Sequence, residues 1–304
     1  MPPETTTVTN GSAGTPGTSE SDLRTLSAGL DALQTDVVTQ KSLGRRIVSA
    51  AAPTVVLLIG LIAVWQLVTV VVKPRPDLYP GPFDVLGAFG SAWDSGRIQE
   101  AVATSVERGG FGFLLALAIG APLGLILAEV PLARRALRPL LSGLQVLPSV
   151  AWVPPAIIWF GISDATAYFV VIMGAAPSIA NGLVSGIDQV PPQLRRVGRV
   201  LGASRLESAM LIALPAALPG FLGGLKQGWA FSWRSLMAAE IISTGLGLGL
   251  GGMLDQSRQL ADMAGVLATI LVILAIGVTV ELLIFGPIER GLLRRRGLYG
   301  VSPR

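Results

Sequence analysis

The apolar residues of this chain are gathered into blocks and are not scattered at the spacing of a soluble core. Six blocks, at residues 47–72, 109–130, 140–160, 165–187, 211–242 and 264–288, are long enough to cross a bilayer, which takes about 20 apolar residues in a helix. Between the first two lie a polar loop containing Lys73, Pro74, Arg75, Pro76 and Asp77, and a moderately apolar stretch at 83–93 that reads as interfacial. The pattern predicts an all-α polytopic membrane protein with about six transmembrane helices.

The ends read differently. Residues 1–20 are rich in Thr, Gly, Ser and Pro and read as disordered. The first block begins too far along for a signal peptide, and no charged n-region opens the chain. Leu23, Leu26, Leu30, Leu33 and Val37 alternate spacings of three and four, which suits a short amphipathic helix on the membrane, a frayed one in solvent, or a docking helix for a partner. The expected organisation is a cytosolic N-terminal tail at 1–46, disordered and then amphipathic, followed by a first transmembrane helix with its outer loop at 47–98. A core at 99–290 holds a cytosolic loop at 190–212, and a basic cytosolic tail closes the chain at 291–304.

Charge orients these spans. With the N-terminus inside, the inner segments hold Lys41, Arg45 and Arg46, then Arg134, Arg135 and Arg138, then Arg195, Arg196, Arg199 and Arg205, then Arg290, Arg294, Arg295 and Arg296. The outer segments mix Lys73, Arg75, Arg97, Arg108 and Arg258 with Asp77, Asp84, Asp94 and Asp255. Lys and Arg near span ends are retained in the cytosol, so both termini are expected there. Charged residues make up 14% of the chain, against about one in four in soluble domains, and the basic ones sit between apolar blocks, which argues for membrane orientation and against a nucleic-acid partner. The chain has no Cys and no His, which excludes disulfides, thiolate nucleophiles and imidazole bases. No carboxylates cluster at ligand spacing, so neither a metal nor a cofactor is expected, and the chain does not read as an enzyme.

The segment from Gln193 to Pro215 is the most informative. An Arg-rich helix carries Leu194, Val197 and Leu201 as an apolar stripe. Gly202 can turn the chain by taking a positive φ, and Pro215 then enters a span. Such a helix, held at the membrane surface, suits insertion into a groove on a cytosolic partner. The segment resembles the signature loop of ABC importer permeases: nine residues separate Gly202 from Ile212, and Ala213, Leu214 and Pro215 follow. Arg196, Val197 and Gly198 stand where that loop has an acidic residue and two alanines, and Ala203 and Ser204 complete the turn.

The resemblance runs from about residue 100 to 298 and is similar to the nitrate, sulfonate and taurine branch of type I importer permeases. Its carriers are residues 145–154, 159–163, 201–204 and 233–240, with the Gly-rich run at 243–249. It implies the type I permease fold in the bacterial cytoplasmic membrane, a second permease copy, two ABC ATPase subunits and an extracytoplasmic binding protein. It implies import of a small anionic solute such as a sulfonate, taurine or nitrate; the same scaffold also serves other small solutes, such as a vitamin precursor. No Gly-x-x-x-x-Gly-Lys-Ser/Thr occurs, so ATP hydrolysis is expected in a separate chain.

Ionisable residues inside a span are costly, at about 2.5–3.5 kcal/mol each. The fifth block holds Lys226, Arg234 and Glu240, with Trp229 and Trp233 one helical turn apart. One reading places Arg234 and Glu240 on the translocation path, walled by the Trp pair, with the guanidinium meeting an anion. The other places them at the outer interface or in mutual neutralisation, the tryptophans acting as interfacial anchors. Glu281 reads as a packing or interface carboxylate.

Overall fold

A computed structural model of the chain describes residues 43–72, 75, 77–243 and 247–295. The expectations for the N-terminal tail up to residue 42, for 244–246 of the Gly-rich run and for the last nine residues lie outside these. By its contacts the chain divides after Leu61. Residues 43–61 belong to α1 (Leu43–Val72), the helix of the first apolar block.

From Ile62 onward the described residues are helical, with no strand among them. After α1 come α2 (Pro82–Asp94), α3 (Arg97–Glu129), α4 (Pro131–Val146), α5 (Val153–Phe160) and α6 (Asp164–Asp188). Then follow α7 (Pro192–Val200), α8 (Leu214–Ile242), α9 (Leu250–Gln259), α10 (Met263–Val280) and α11 (Gly286–Arg295). Among the described residues five helical stretches are long and apolar enough to cross a membrane, and α4 with α5 makes a sixth if that pair counts as one span. Helices answer the lipid's first demand, because every backbone N–H and C=O must be satisfied within the segment.

The third predicted span, where Pro148, Pro154 and Pro155 argue from the sequence for an irregular helix lining a cavity, is a broken one. Residues 140–160 do not form one helix: α4 ends at Val146, a single 3₁₀ turn covers Ser149–Trp152, and α5 leaves at an angle of 100°. Pro148 is the cause. Its ring disfavours the helical region for the residue before it, and Leu147 is extended, at φ −67° and ψ 128°. Pro154 does no such damage, because it falls in the first turn of α5, where a missing N–H costs nothing. The second span begins earlier than its apolar block, since α3 starts at Arg97 after Gly96 turns the chain at φ 77°. The interfacial stretch at 83–93 is α2, which packs on α3 and α10.

The core sits around α6, which lies against both α3 and α8. Lipid supplies no hydrophobic drive between helices, so close dispersion contact must hold them, and small residues permit it. On one flank, a Cβ at Gly120 would fall 2.8 Å from the Ala176 carbonyl, and one at Gly124 2.8 Å from that of Ala180. On the other flank, a Cβ at Gly224 would fall 2.5 Å from Gly182 Cα, and one at Gly186 2.9 Å from the Ala217 carbonyl. The backbones touch, and larger apolar residues such as Ile179, Leu183 and Phe221 fill the spaces between.

This contact yields a prediction. Gly224→Val forces α8 off α6 and costs about 3 kcal/mol, the upper range for overpacking. Gly223→Ala, one position away with nothing within 4 Å of its Cβ, leaves stability unchanged. Thermal unfolding of the detergent-purified protein reads both.

Candidate coupling loop and translocation site

The loop between α6 and α8 is a built elbow. The N–H of Ala203 donates to Gly198 O at 3.0 Å and that of Gly202 to Arg199 O at 3.1 Å, with Gly202 at φ 80°. These two bonds close α7 with a Schellman motif, which requires a residue tolerant of positive φ at this point. The next turn opens at once. Ser204 N donates to Glu207 Oε2 at 2.8 Å, and Glu207 N donates back to Ser204 Oγ at 3.2 Å, a reciprocal capping box. Arg205–Glu207 and a π-helical turn at Ser208–Ala213 then lead through Leu214 and Pro215 into α8.

The Ser204 backbone N–H, and then its hydroxyl, hold the Glu207 carboxyl below the ordinary carboxylate range. A lowered value means that the box is complete at neutral pH and weakens only as pH falls through that value. Gly198 is buried where α7 meets this turn, and a Cβ there would run into the end of the Ile212 side chain. Arg196 and Val197 face outward. Val197, Val200, Leu201 and Leu206 form an exposed apolar surface, Val200 and Leu201 being 87% and 80% accessible.

Arg234 lies on α8 facing the break between α4 and α5. It borders a cavity of about 220 Å³ lined by Leu144–Val150, Gly174 and Phe231. The guanidinium carbon sits 4.6 Å from the centre of the Phe231 ring, and Nε donates to Ala230 O at 3.2 Å. Among the described residues, neither of these partners is an anion. Gln145, also on the cavity wall, donates to Ser178 Oγ at 3.2 Å.

Trp229 and Trp233 stack at 6.0 Å on another side of α8, where they line a groove with Ile270 and Ile273 of α10. Trp233 is buried and its indole N–H donates to Ile273 O at 3.3 Å. Arg234 borders this groove too, but the pair does not line the smaller cavity. Lys226, further along α8, is neutralised by Glu281 at 2.9 Å and Glu289 at 2.6 Å.

Glu240 is not brought to Arg234. Its side chain is 1% accessible and closes a polar junction. It accepts from Ser105 Oγ at 2.7 Å and from Gly251 N at 2.9 Å, with Arg108 Nη1 at 3.5 Å. Ser105 Oγ in turn accepts from Leu250 N at 2.8 Å. A carboxylate and a hydroxyl therefore satisfy the first N–H groups of α9, where a helix terminus favours negative charge. Arg108 continues to Asp164 at 2.8 Å, which ties in the start of α6. The Gly-rich run makes this fit: a Cβ at Gly249 would fall 2.6 Å from the carboxylate carbon, and one at Gly251 2.9 Å from Met237 O. Sequence reasoning gave Ser105 and Arg108 no such role, because partners 135 positions apart leave no local pattern.

Residues 120–285 match the family described as binding-protein-dependent transport system inner membrane component. The chain is similar to the taurine transport system permease protein of Escherichia coli strain K12, 30% identical over 73% of this chain and 82% of that one. It is also similar to the nitrate import permease protein of Leptolyngbya laminosa, 31% identical over 65% and 72% respectively. Among solved structures, the MetNI methionine ABC transporter in inward facing conformations shares the fold, with a TM-score of 0.56 at 21% identity over 64% of this chain and 96% of that one.

Glu240→Ala removes the buried acceptor shared by Ser105 and the α9 N-terminus and one of the two carboxylates beside Arg108, and thermal unfolding in detergent is expected to show a loss of about 3–5 kcal/mol. Glu240→Gln, which keeps an acceptor, loses less.

Proposed function

Since the chain belongs to the binding-protein-dependent transport system inner membrane component family, whose members are transport subunits of the inner membrane, we propose that it is the ABC importer permease for a small oxyanion of the sulfonate, taurine or nitrate class. The observation that carries the solute class is Arg234. A guanidinium within a membrane span is costly unless something repays it. This one is pinned over Phe231 and directed to a cavity at a broken helix, with no anionic partner among the described residues. Its planar fork matches the paired oxygens of a sulfonate, carboxylate or nitrate. The names of the taurine and nitrate relatives support the same class.

ATP is hydrolysed by a partner chain, in this reading, and the elbow at α7 is where that partner grips. The exposed apolar surface of Val197, Val200, Leu201 and Leu206 suits a groove on a cytosolic ATPase. The Arg-rich segments support a cytosolic side for this loop and both termini. Two permease copies, two ATPase subunits and an extracytoplasmic binding protein complete the assembly. The chain moves solute by alternating access and carries out no chemistry itself. Glu240, Trp229 and Trp233 hold α8 in place beside the path, and Arg234 meets the solute.

The test uses the complex reconstituted in liposomes with its ATPase and binding protein. Arg234→Gln is expected to lower uptake of radiolabelled taurine or nitrate at least tenfold while the ATPase still co-purifies. Leu201→Asp is expected to lose the ATPase from the complex with the permease still folded. Uptake unaffected by Arg234→Gln refutes the assigned solute contact, and uptake of a neutral pyrimidine in preference to both anions refutes the class.

A further inference from the structure

Two corners of the fold carry mirrored charges. At the turn from α3 to α4, Glu129 ends one helix and Arg134 lies in the first turn of the next. At the turn from α6 to α7, Asp188 ends one helix and Arg195 lies in the next. The pairs form across the corners. Arg195 Nη2 donates to Glu129 Oε1 at 3.1 Å, and Arg134 donates to both oxygens of Asp188, at 3.0 and 2.5 Å. The order fixes the register, because a slip would set Glu129 against Asp188 or Arg134 against Arg195. Each of the four side chains is between 28% and 40% accessible. Ion pairs this exposed contribute little to stability, so holding the fold together is a poor account of why two are built here in opposite senses.

Their position supplies a better one. Arg134 ties the first turn of α4 to the end of α6, and Arg195 of α7 holds Glu129, two residues before α4 begins. The helix α4 has 16 residues and spans about 24 Å at the α-helical rise. Leu141 of α4 is buried against Leu127 of α3 and Ala180 and Val184 of α6, so the helix is packed on both. Its far end, Leu144–Val146, is wall of the Arg234 cavity, just before the break at Leu147 and Pro148. A displacement of α7 thus reaches that wall through Glu129 and the corner between α3 and α4.

We propose that the crossed ion pairs Glu129–Arg195 and Asp188–Arg134 are the link that carries movement of α7 into α4 and so changes the Arg234 cavity. The four residues are positioning residues for coupling. The proposal rests on the reading of α7 as the ATPase contact. In the resting chain the pairs hold the two corners in one register. When the ATPase subunits close on nucleotide and shift α7, the α4 corner follows, and the end of α4 moves against α8.

The chain has no Cys, so Val146→Cys, at an end position that is 82% accessible, introduces the only thiol in this subunit. The experiment measures its maleimide labelling rate in the intact complex with the ATPase, with and without ATP and vanadate. In the otherwise unchanged chain the rate is expected to change at least threefold on trapping. Glu129→Arg alone, or Arg195→Glu alone, abolishes that change while the ATPase stays bound and hydrolyses ATP. The two reversals together restore it, which a merely structural loss would not do. A nucleotide-dependent change that survives either single reversal, or a site indifferent to nucleotide in the unreversed chain, overturns the proposal. Leu201→Asp separates the two failures: if it leaves the ATPase bound, the α7 assignment is wrong, and if it releases the ATPase while the reversals have no effect, only the crossed link is wrong.

Discussion

The backbone contact of α6 with α8 and α3 is the constraint on which the other features depend. Between helices in lipid, apolar side chains gain nothing by leaving the solvent, because the solvent is itself apolar. Glycines let the chains touch, and the pairing of Gly182 with Gly224 and the seating of Gly120 and Gly124 on α6 carbonyls set how α3, α6 and α8 are spaced. Once that spacing is set, Ile179, Leu183 and Phe221 have defined places. The two corners that meet across the crossed ion pairs are also the ends of α3 and α6, so the packing brings them together.

Polar groups are then settled by a second rule: an ionised side chain in a span must be repaid. Lys226 is repaid by Glu281 and Glu289. Glu240 is repaid by Ser105, Arg108 and the first turn of α9. Arg234 differs from both. It has an aromatic ring behind it and a cavity before it, and the proposed solute contact rests on that contrast. The fold separates two uses of charge on α8 that the sequence presents side by side.

The elbow at α7 and the break at Pro148 are two places where regular helix is interrupted. The elbow combines a Schellman ending with a capping box, so the turn is stiff and the apolar surface beside it is presented in a fixed direction. The break exposes the end of α4 to α8. A stiff handle at one end and a sharp bend at the other suit a subunit that receives movement from a partner and passes it inward.

The sequence by itself determined the class of protein, the number of apolar blocks and the position of the loop. Blocks of about 20 apolar residues have one stable use, and the turn at Gly202 needs only local chemistry. The capping box from Ser204 to Glu207 is equally local. Pro148, Pro154 and Pro155 marked the third block as irregular, but apolar spacing runs straight through them and does not say where the chain bends or by how much; the structure has two helices at 100°. The partners of Glu240 and the crossing of the ion pairs were decided only by tertiary structure. Apart from Gly251, 11 positions from Glu240, the hydrogen-bonded partners lie 54 to 135 positions apart, and a one-dimensional period carries no information on which faces of two distant helices meet. The same holds for Trp229, Trp233 and Arg234. Helical spacing puts them on neighbouring faces of α8, and only the arrangement of α4, α6 and α10 around that helix gives the tryptophans a packing surface and the arginine a cavity.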